Sequence, residues 1–316
     1  MKDRRILVTG GTGFIGGFAT EALRNRGAEV VCFAPRPPEI KRDDITFVEG
    51  DVTNSKVLTA IIQDKKIDTI VHLAGFGTTM VQSNPELGVR VNIMGMSSIL
   101  EAARMASLKV VFTSSIGVYG QIMSKEARGA DEDGEVNPVT VYGAGKLLCE
   151  KMGQAYAQNY KVKFVALRLM AVYGFTDLAR RGVEHPTFSD HARRLIELPL
   201  AGQPVVVEKG GRQPCDFVYV KDVTQAITKA CAADDLKNSV FNIGSGELRT
   251  LKEFADIIKH YKPDADVRVG EKPDPAYPFM GPVDISRAVE ELNYKPTPFS
   301  ECVHDYVELV KAREVS

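Results

Sequence analysis

The chain has 316 residues, 44% of them hydrophobic and 26% charged, the balance of an ordinary globular protein with room for one large core or for two closely joined lobes, one smaller than the other. Its net charge of -1, with basic residues scattered, leaves no electrostatic footprint for DNA or RNA. The five cysteines, Cys32, Cys149, Cys215, Cys231 and Cys302, are odd in number, far apart and never in a C-x-x-C pair, which excludes a disulfide framework or zinc knuckle and points to a reducing compartment.

In chain order, short β-branched runs alternate with segments of helical period. Arg5–Thr9 reads as a strand, and the stretch after it places Ile15, Phe18, Ala22 and Leu23 on one helix face. Apolar runs follow at Val30–Phe33, Ile45–Val48, Thr69–Leu73, Val110–Thr113 and Lys163–Leu167, with helical patterns between most of them. Continuous hydrophobic strands alternating with helices predict an α/β fold whose doubly wound parallel sheet is covered on both faces. Beyond Gly174 the rhythm breaks into a loop-rich stretch with Pro186, Pro199 and Pro204, read as entry to a smaller substrate-binding lobe. The chain is expected to revisit the first domain over Asp216–Ile243, where Asp222 caps a helix carrying Val223, Ala226 and Ile227, and Val240–Ile243 forms another strand. Thr250-x-x-Glu253 is a capping box opening a helix with Leu251, Phe254 and Ile258 inward. The expected division is 1–173 with 216–243 for the first domain, and 174–215 with 244–316 for the smaller lobe.

Between the first strand and the first helix lies Val8-Thr9-Gly10-Gly11-Thr12-Gly13-Phe14-Ile15-Gly16, with glycines at 10, 13 and 16. In that place Gly10 permits a tight turn, Gly13 lets a pyrophosphate approach the backbone, and Gly16 lets helix and strand pack closely. The sheet is therefore read as Rossmann-type, and the cofactor as NAD or NADP. An acidic residue at the end of the second strand would bind a ribose 2′-hydroxyl, but the segment reads Cys32-Phe33-Ala34-Pro35-Arg36, so Arg36 favours NADP unless it is only a solvated loop residue. Asp51, just after the third strand, either holds the adenine amino group or caps its own loop.

Tyr142-Gly-Ala-Gly-Lys146 begins a helical pattern, and its spacing puts phenol and ammonium on one face, a turn apart. A free phenol ionises at a pKa of about 10, too high for a base near neutrality, but a neighbouring ammonium and an oxidised nicotinamide both favour the phenolate. Ser115 closes the strand Val110–Ser115 at the same carboxyl edge as the glycine loop, where it can bond the reacting oxygen and orient it toward the phenol.

With these residues in this order, the chain resembles the extended short-chain dehydrogenase/reductase family, in its NAD-dependent epimerase/dehydratase group. The resemblance runs through Thr9-Gly-Gly-Thr-Gly-Phe-Ile-Gly16, Val71-His-Leu-Ala-Gly75, Asn92-x-x-Gly95, Thr113-Ser-Ser-Ile-Gly-Val-Tyr-Gly120, Tyr142-x-x-x-Lys146, Asp216-Phe-Val-Tyr-Val-x-Asp-Val223, Phe241-Asn-Ile-Gly-Ser-Gly246 and Asp284-Ile-Ser286. It implies that Tyr142 is the catalytic base, that Lys146 also binds the nicotinamide ribose, and that Ser115 orients the substrate. It also implies that Phe14, Ile15, Val52, Leu73, Ala74, Gly75 and Asn92 line the cofactor with the glycines, Arg36 and Asp51.

Two departures narrow the substrate. The family's dehydratases and decarboxylases carry acidic residues directly after the catalytic Ser or Thr, because that chemistry needs further acid and base groups; Ile116 and Gly117 stand there instead. Members that bind a nucleoside diphosphate usually have Asn before the Val-Tyr-Gly that closes the sixth strand and Arg before Asp-Phe, where this chain has Ala171 and Cys215. An Arg fork suits phosphate in a way that Cys cannot, so the substrate lacks the nucleotide unless Arg212 or Lys272 restores the charge. The expected activity is epimerase or dehydrogenase chemistry on a sugar or sugar-nucleotide-like substrate. Its alternatives are simple dehydrogenation of a small sugar, sugar acid or alcohol, and a catalytically silent cofactor sensor. The resemblance also implies a homodimer through about Glu86–Met105 and the helix of Tyr142, with Val89, Ile93, Met94, Leu100, Leu147, Leu148 and Met152 as apolar surface. Residues 1–10 show no signal-peptide profile and no apolar run reaches bilayer length, so a cytoplasmic location is expected.

Overall fold

Strand β1 (Arg5–Thr9) is apolar on both faces, with Ile6 and Val8 fully buried in one hydrophobic cluster and Leu7 in another. Such a strand needs cover on both sides, and alternating elements supply it. The computed structural model describes residues 1–37, 45–120, 129–175, 187–275 and 281–314. After β1 come α1 (Phe14–Asn25), β2 (Glu29–Ala34), β3 (Thr46–Glu49), α2 (Ser55–Asp64), β4 (Thr69–His72), and the short α3 (Thr78–Ser83) and α4 (Pro85–Gly88). A π-helical turn (Val89–Met94) leads into α5 (Gly95–Ala106), β5 (Lys109–Ser115), a 3-10 turn (Ile116–Tyr119), α6 (Val141–Tyr160), β6 (Lys163–Leu169) and β7 (Ala171–Tyr173). The rest comprises α7 (Phe188–Leu200), β8 (Val205–Val207), β9 (Pro214–Tyr219), α8 (Val220–Ala232), β10 (Val240–Ile243), β11 (Leu248–Thr250), α9 (Leu251–Tyr261), β12 (Val267–Val269), α10 (Ser286–Leu292) and α11 (Phe299–Glu314).

Seven parallel strands form the large sheet in the order β10-β6-β5-β4-β1-β2-β3. Leu23 of α1, Ile227 of α8 and Leu292 of α10 are buried in the cluster on one face. Leu58 of α2, Ile99 of α5 and Cys149 of α6 are buried in the cluster on the other. The chain leaves β3 at one edge and re-enters at β4 on the far side of β1, so the carboxyl ends of β1 and β4 frame the crevice where ligands of such sheets bind. A second sheet, β11-β9-β7, and the β12-β8 pair carry α7, α9 and α11 around a separate aromatic core. There the Phe254 ring stands edge-on to Tyr173 and Phe217, with centroids 5.1 and 5.0 Å away.

Each apolar run read as a strand lies on a strand of the large sheet, to within a residue or two. The Thr250/Glu253 capping box is present in full, and Leu251, Phe254 and Ile258 behind it are fully buried. Three local expectations are corrected. The buried strip of α1 runs through Gly16, Ala19, Thr20 and Leu23, because its closest approach to the loop lies at a residue without a side chain; Ile15 and Phe18 are half-buried against the smaller core. Asp222 does not cap α8, which starts at Val220 straight from β9 with Tyr219 at the cap position; its carboxylate accepts from Thr297 N and Thr297 Oγ1 at 3.0 and 2.7 Å. The stretch around Pro199 is helical, since Thr187 and Asp190 form a capping box and a proline in the last turn interrupts little; Pro186 lies outside the described residues. The return to the large sheet is made by α8 and β10, while β9 pairs with β7 and β11.

Candidate functional site

The glycine loop leaves β1 at the switch crevice. Gly10 has φ +71°, and a Cβ there would lie 2.8 Å from Ala74 N; its N–H donates to Phe33 O at 2.8 Å. A Cβ on Gly16 would sit 2.0 Å from Gly10 O, so the first turn of α1 packs directly on the loop backbone. Gly13 caps α1 with no side chain over the helix end, and a Cβ at that position would approach only Gly10 O, at 3.2 Å. A left-handed turn feeding a bare helix N-terminus fits a pyrophosphate, and Phe14 and Ile15, half-buried, open that helix.

The other residues expected to line a cofactor follow strands β2, β3 and β4. Arg36 is exposed just past β2. Asp51 Oδ1 accepts from Thr53 N and Thr53 Oγ1, both at 2.9 Å, a loop-capping arrangement. Val52 is buried where a Cβ on Gly95 of α5 would meet it at 2.8 Å. Leu73, Ala74 and Gly75 form the bend after β4. Asn92, in the π-helical turn, grips that bend: its Oδ1 accepts from Phe76 N at 2.8 Å and its Nδ2 donates to Phe76 O at 3.0 Å.

Ser115 ends β5 half-buried, and its Oγ accepts from Gly117 N at 3.1 Å, which leaves its own proton to donate elsewhere. Thr140 caps α6 through Gly143 N, so Tyr142 stands in the first turn of that helix. Lys146 Nζ donates to Thr113 O at 2.7 Å and lies 4.7 Å from the Phe112 ring and 5.6 Å from the Tyr142 ring. Strand β5 and helix α6 thus bring Ser115, Tyr142 and Lys146 to one edge of the sheet. A feature not read from the sequence is Gly143: a Cβ there would stand 2.3 Å from Gly117 O, so α6 and the turn after Ser115 meet backbone to backbone. The available signal was two glycines inside a helical pattern, which signify close packing where they recur.

Beneath Lys146 the imidazole of His72 is completely buried, with Nδ1 2.8 Å from Thr9 Oγ1; burial, reinforced by the Lys146 charge, pulls its pKa from 6.5 down to about 3 and keeps it neutral. Of the substrate positions, Arg212 and Lys272 lie on neighbouring segments, joined where Gly210 N donates to Lys272 O at 2.8 Å. Ala171 opens β7 half-buried, and Cys215 on β9 is buried in the aromatic core, where desolvation pushes its thiol pKa up. Arg212 is exposed and paired with Glu271 at 2.8 Å, and Lys272 is exposed beside that glutamate. Among the described residues no His, Cys, Asp and Glu group is placed to hold a metal, and no helix is long and apolar enough to cross a membrane.

A model of the NAD dependent epimerase/dehydratase family matches residues 6–244. A putative UDP-glucose 4-epimerase of Methanocaldococcus jannaschii is 30% identical over 299 residues, covering 92% of this chain and 93% of its own. Among solved structures, the UDP-glucose 4-epimerase of Thermus thermophilus, in complex with NAD, is 27% identical with a TM-score of 0.81, covering 97% of this chain and 99% of that one. The L-threonine dehydrogenase of Phytophthora infestans is 25% identical with a TM-score of 0.84, covering 98% and 99%.

Proposed function

Since the chain belongs to the NAD-dependent epimerase/dehydratase family, we propose that it oxidises a hydroxyl carbon of a sugar or sugar-nucleotide-like substrate, with Tyr142 as acid and base. The observation that carries this reading is that Lys146 Nζ, bonded to Thr113 O of β5, lies 5.6 Å from the Tyr142 ring, while a Cβ on Gly117 would touch both Ser115 Oγ and the Tyr142 ring, at 3.4 and 3.7 Å. The glycine loop and the first turn of α1 would hold the dinucleotide, which when bound accepts the hydride from the substrate carbon. Ser115 Oγ donates its proton to the substrate oxygen and fixes it before the phenol. Tyr142 Oη takes the hydroxyl proton as the carbonyl forms and returns it on reduction, with the Lys146 ammonium 5.6 Å from its ring. An epimerase completes both halves on one substrate; a dehydrogenase releases the ketone.

The test is a panel of UDP-sugars, free sugars, sugar acids, polyols and β-hydroxy amino acids with NAD and with NADP. Product without net reduced-nicotinamide absorbance identifies an epimerase, and rising absorbance a dehydrogenase. Tight cofactor binding without turnover across the panel would favour a silent sensor. A second reading, dehydrogenation of a substrate without a nucleotide, is favoured by Cys215, buried in the aromatic core, standing where an Arg would suit a diphosphate. Exposed Arg36 favours NADP, against the NAD bound by the Thermus relative, and the two affinities decide it. A homodimer is part of the reading. Of the surface named for it, Val89, Met94 and Leu148 are exposed, whereas Leu100 is core and Ile93, Leu147 and Met152 pack inward. Five buried, unpaired thiols accord with a reducing, cytoplasmic location.

A further inference from the structure

Behind the reactive edge lies a buried polar network that the proposed chemistry does not use. Ser114 and Ser115 point to opposite faces of β5. Ser114 Oγ donates to Glu150 Oε1 at 2.5 Å, and Glu150 stands on α6 one turn beyond Lys146. Arg168, the register partner of Ser114 on β6, forks onto the same carboxylate, Nε to Oε1 at 3.0 Å and Nη2 to Oε2 at 2.8 Å. Its Nη1 donates to Tyr119 Oη at 2.8 Å, and Tyr119 ends the turn that begins after Ser115. Tyr119 Oη in turn donates to Asn242 Oδ1 at 2.8 Å on β10.

The Arg168 and Glu150 side chains are only 4% and 1% exposed. Burying an ion pair gains little stability, since desolvation offsets the attraction, so its place under this edge calls for another account. The Lys146 bond to Thr113 O and the Ser114 bond to Glu150 are consecutive rungs joining β5 to α6.

We propose that Glu150, clamped by Arg168 and Ser114, is a positioning residue that holds the Lys146 ammonium against β5 and the turn of Ser115 against α6. The proposal rests on the reading of Tyr142 and Lys146 given above. Among the described residues, the groups near them that can carry charge include His72 on β4, Cys149 and Glu150 on α6, Arg168 on β6, and Tyr119 and Glu132 beside Arg168.

The test is a difference titration of the phenolate ultraviolet band, each protein minus its Tyr142→Phe counterpart, saturated with whichever nicotinamide dinucleotide binds more tightly. It reads Lys146 placement without needing a substrate. Glu150→Leu with Arg168→Met removes one charge of each sign and so keeps both the net charge and the volume. The expected result is an upward move of about half a pH unit or more, in the direction that Lys146→Met gives in full. Ser114→Ala, which spares the ion pair, moves it the same way by less, and Ser114→Thr restores it; this series decides the matter if the double variant does not fold. Midpoints equal to wild type in the folded variants overturn the proposal. Should Tyr142→Phe retain turnover, the catalytic reading fails instead, and the titration still reports on the clamp.

Discussion

Gly16 and Gly17 are neighbours in the first turns of α1, yet alanine should have opposite effects at the two positions. A Cβ on Gly16 would lie 2.0 Å from Gly10 O and 2.8 Å from Gly11 Cα, whereas one on Gly17 would meet nothing within 4 Å. Alanine in a helix is favoured over glycine by about 0.8–1.0 kcal/mol, and Gly17→Ala should keep much of that as added stability. Gly16→Ala must push loop and helix apart by roughly 1 Å, and overpacking of this kind costs about 1–3 kcal/mol. The net expectation is a loss of up to about 2 kcal/mol, or up to several degrees in Tm. The displaced backbone is also the surface offered to the pyrophosphate. Losing one hydrogen bond to a charged group costs about 1.5–3 kcal/mol, so dinucleotide affinity should fall roughly 10- to 100-fold. Thermal unfolding and titration of reduced-dinucleotide fluorescence check both variants against wild type, with Gly17→Ala binding normally. Equal affinities for the two variants would refute the account of the loop.

His72 provides a pH prediction. Its folded pKa, about 3, lies below the ordinary 6.5, so the stability it contributes above 6.5 is lost as the pH falls below that value. Between about pH 7 and pH 5, wild type should lose about 2 kcal/mol more than His72→Phe, measured by urea unfolding; equal losses would mean that the imidazole is not held neutral. If the face carrying Met94 and Leu148, 55% and 47% exposed, joins two copies, Leu148→Asp should lower the sedimenting mass from dimer to monomer at micromolar concentration while the circular dichroism stays unchanged. A wild-type monomer would contradict the dimer itself.

The parts of this molecule legible in its sequence are those encoded by short spacings. Strand runs buried on both faces, the glycine loop, the Thr250/Glu253 box and the Tyr142/Lys146 pair each lie within one or two turns of chain, where periodicity and capping chemistry operate locally. Contacts between distant segments were not legible. Glu150 and Arg168 look like surface charges in a linear reading and become a buried pair only when β6 lies beside β5. Asp222 looked like a cap because a helix followed it, but its partner is Thr297, 75 residues away. Pro199 suggested a loop, yet the capping box twelve residues earlier had already started a helix whose last turn holds it. Arg212 was read as a possible phosphate ligand, and the sequence alone had no means of showing that Glu271 holds it.

In the proposed mechanism Tyr142 moves the proton. Tyr142→Phe removes only the hydroxyl, so the fold and dinucleotide affinity should survive while turnover of any substrate that the wild type accepts falls by about 10²–10⁴-fold or more, the usual contribution of positioned acid–base catalysis. Steady-state rates for both proteins, alongside dinucleotide titrations, make the measurement. A rate near that of wild type in a properly folded variant would contradict the mechanism.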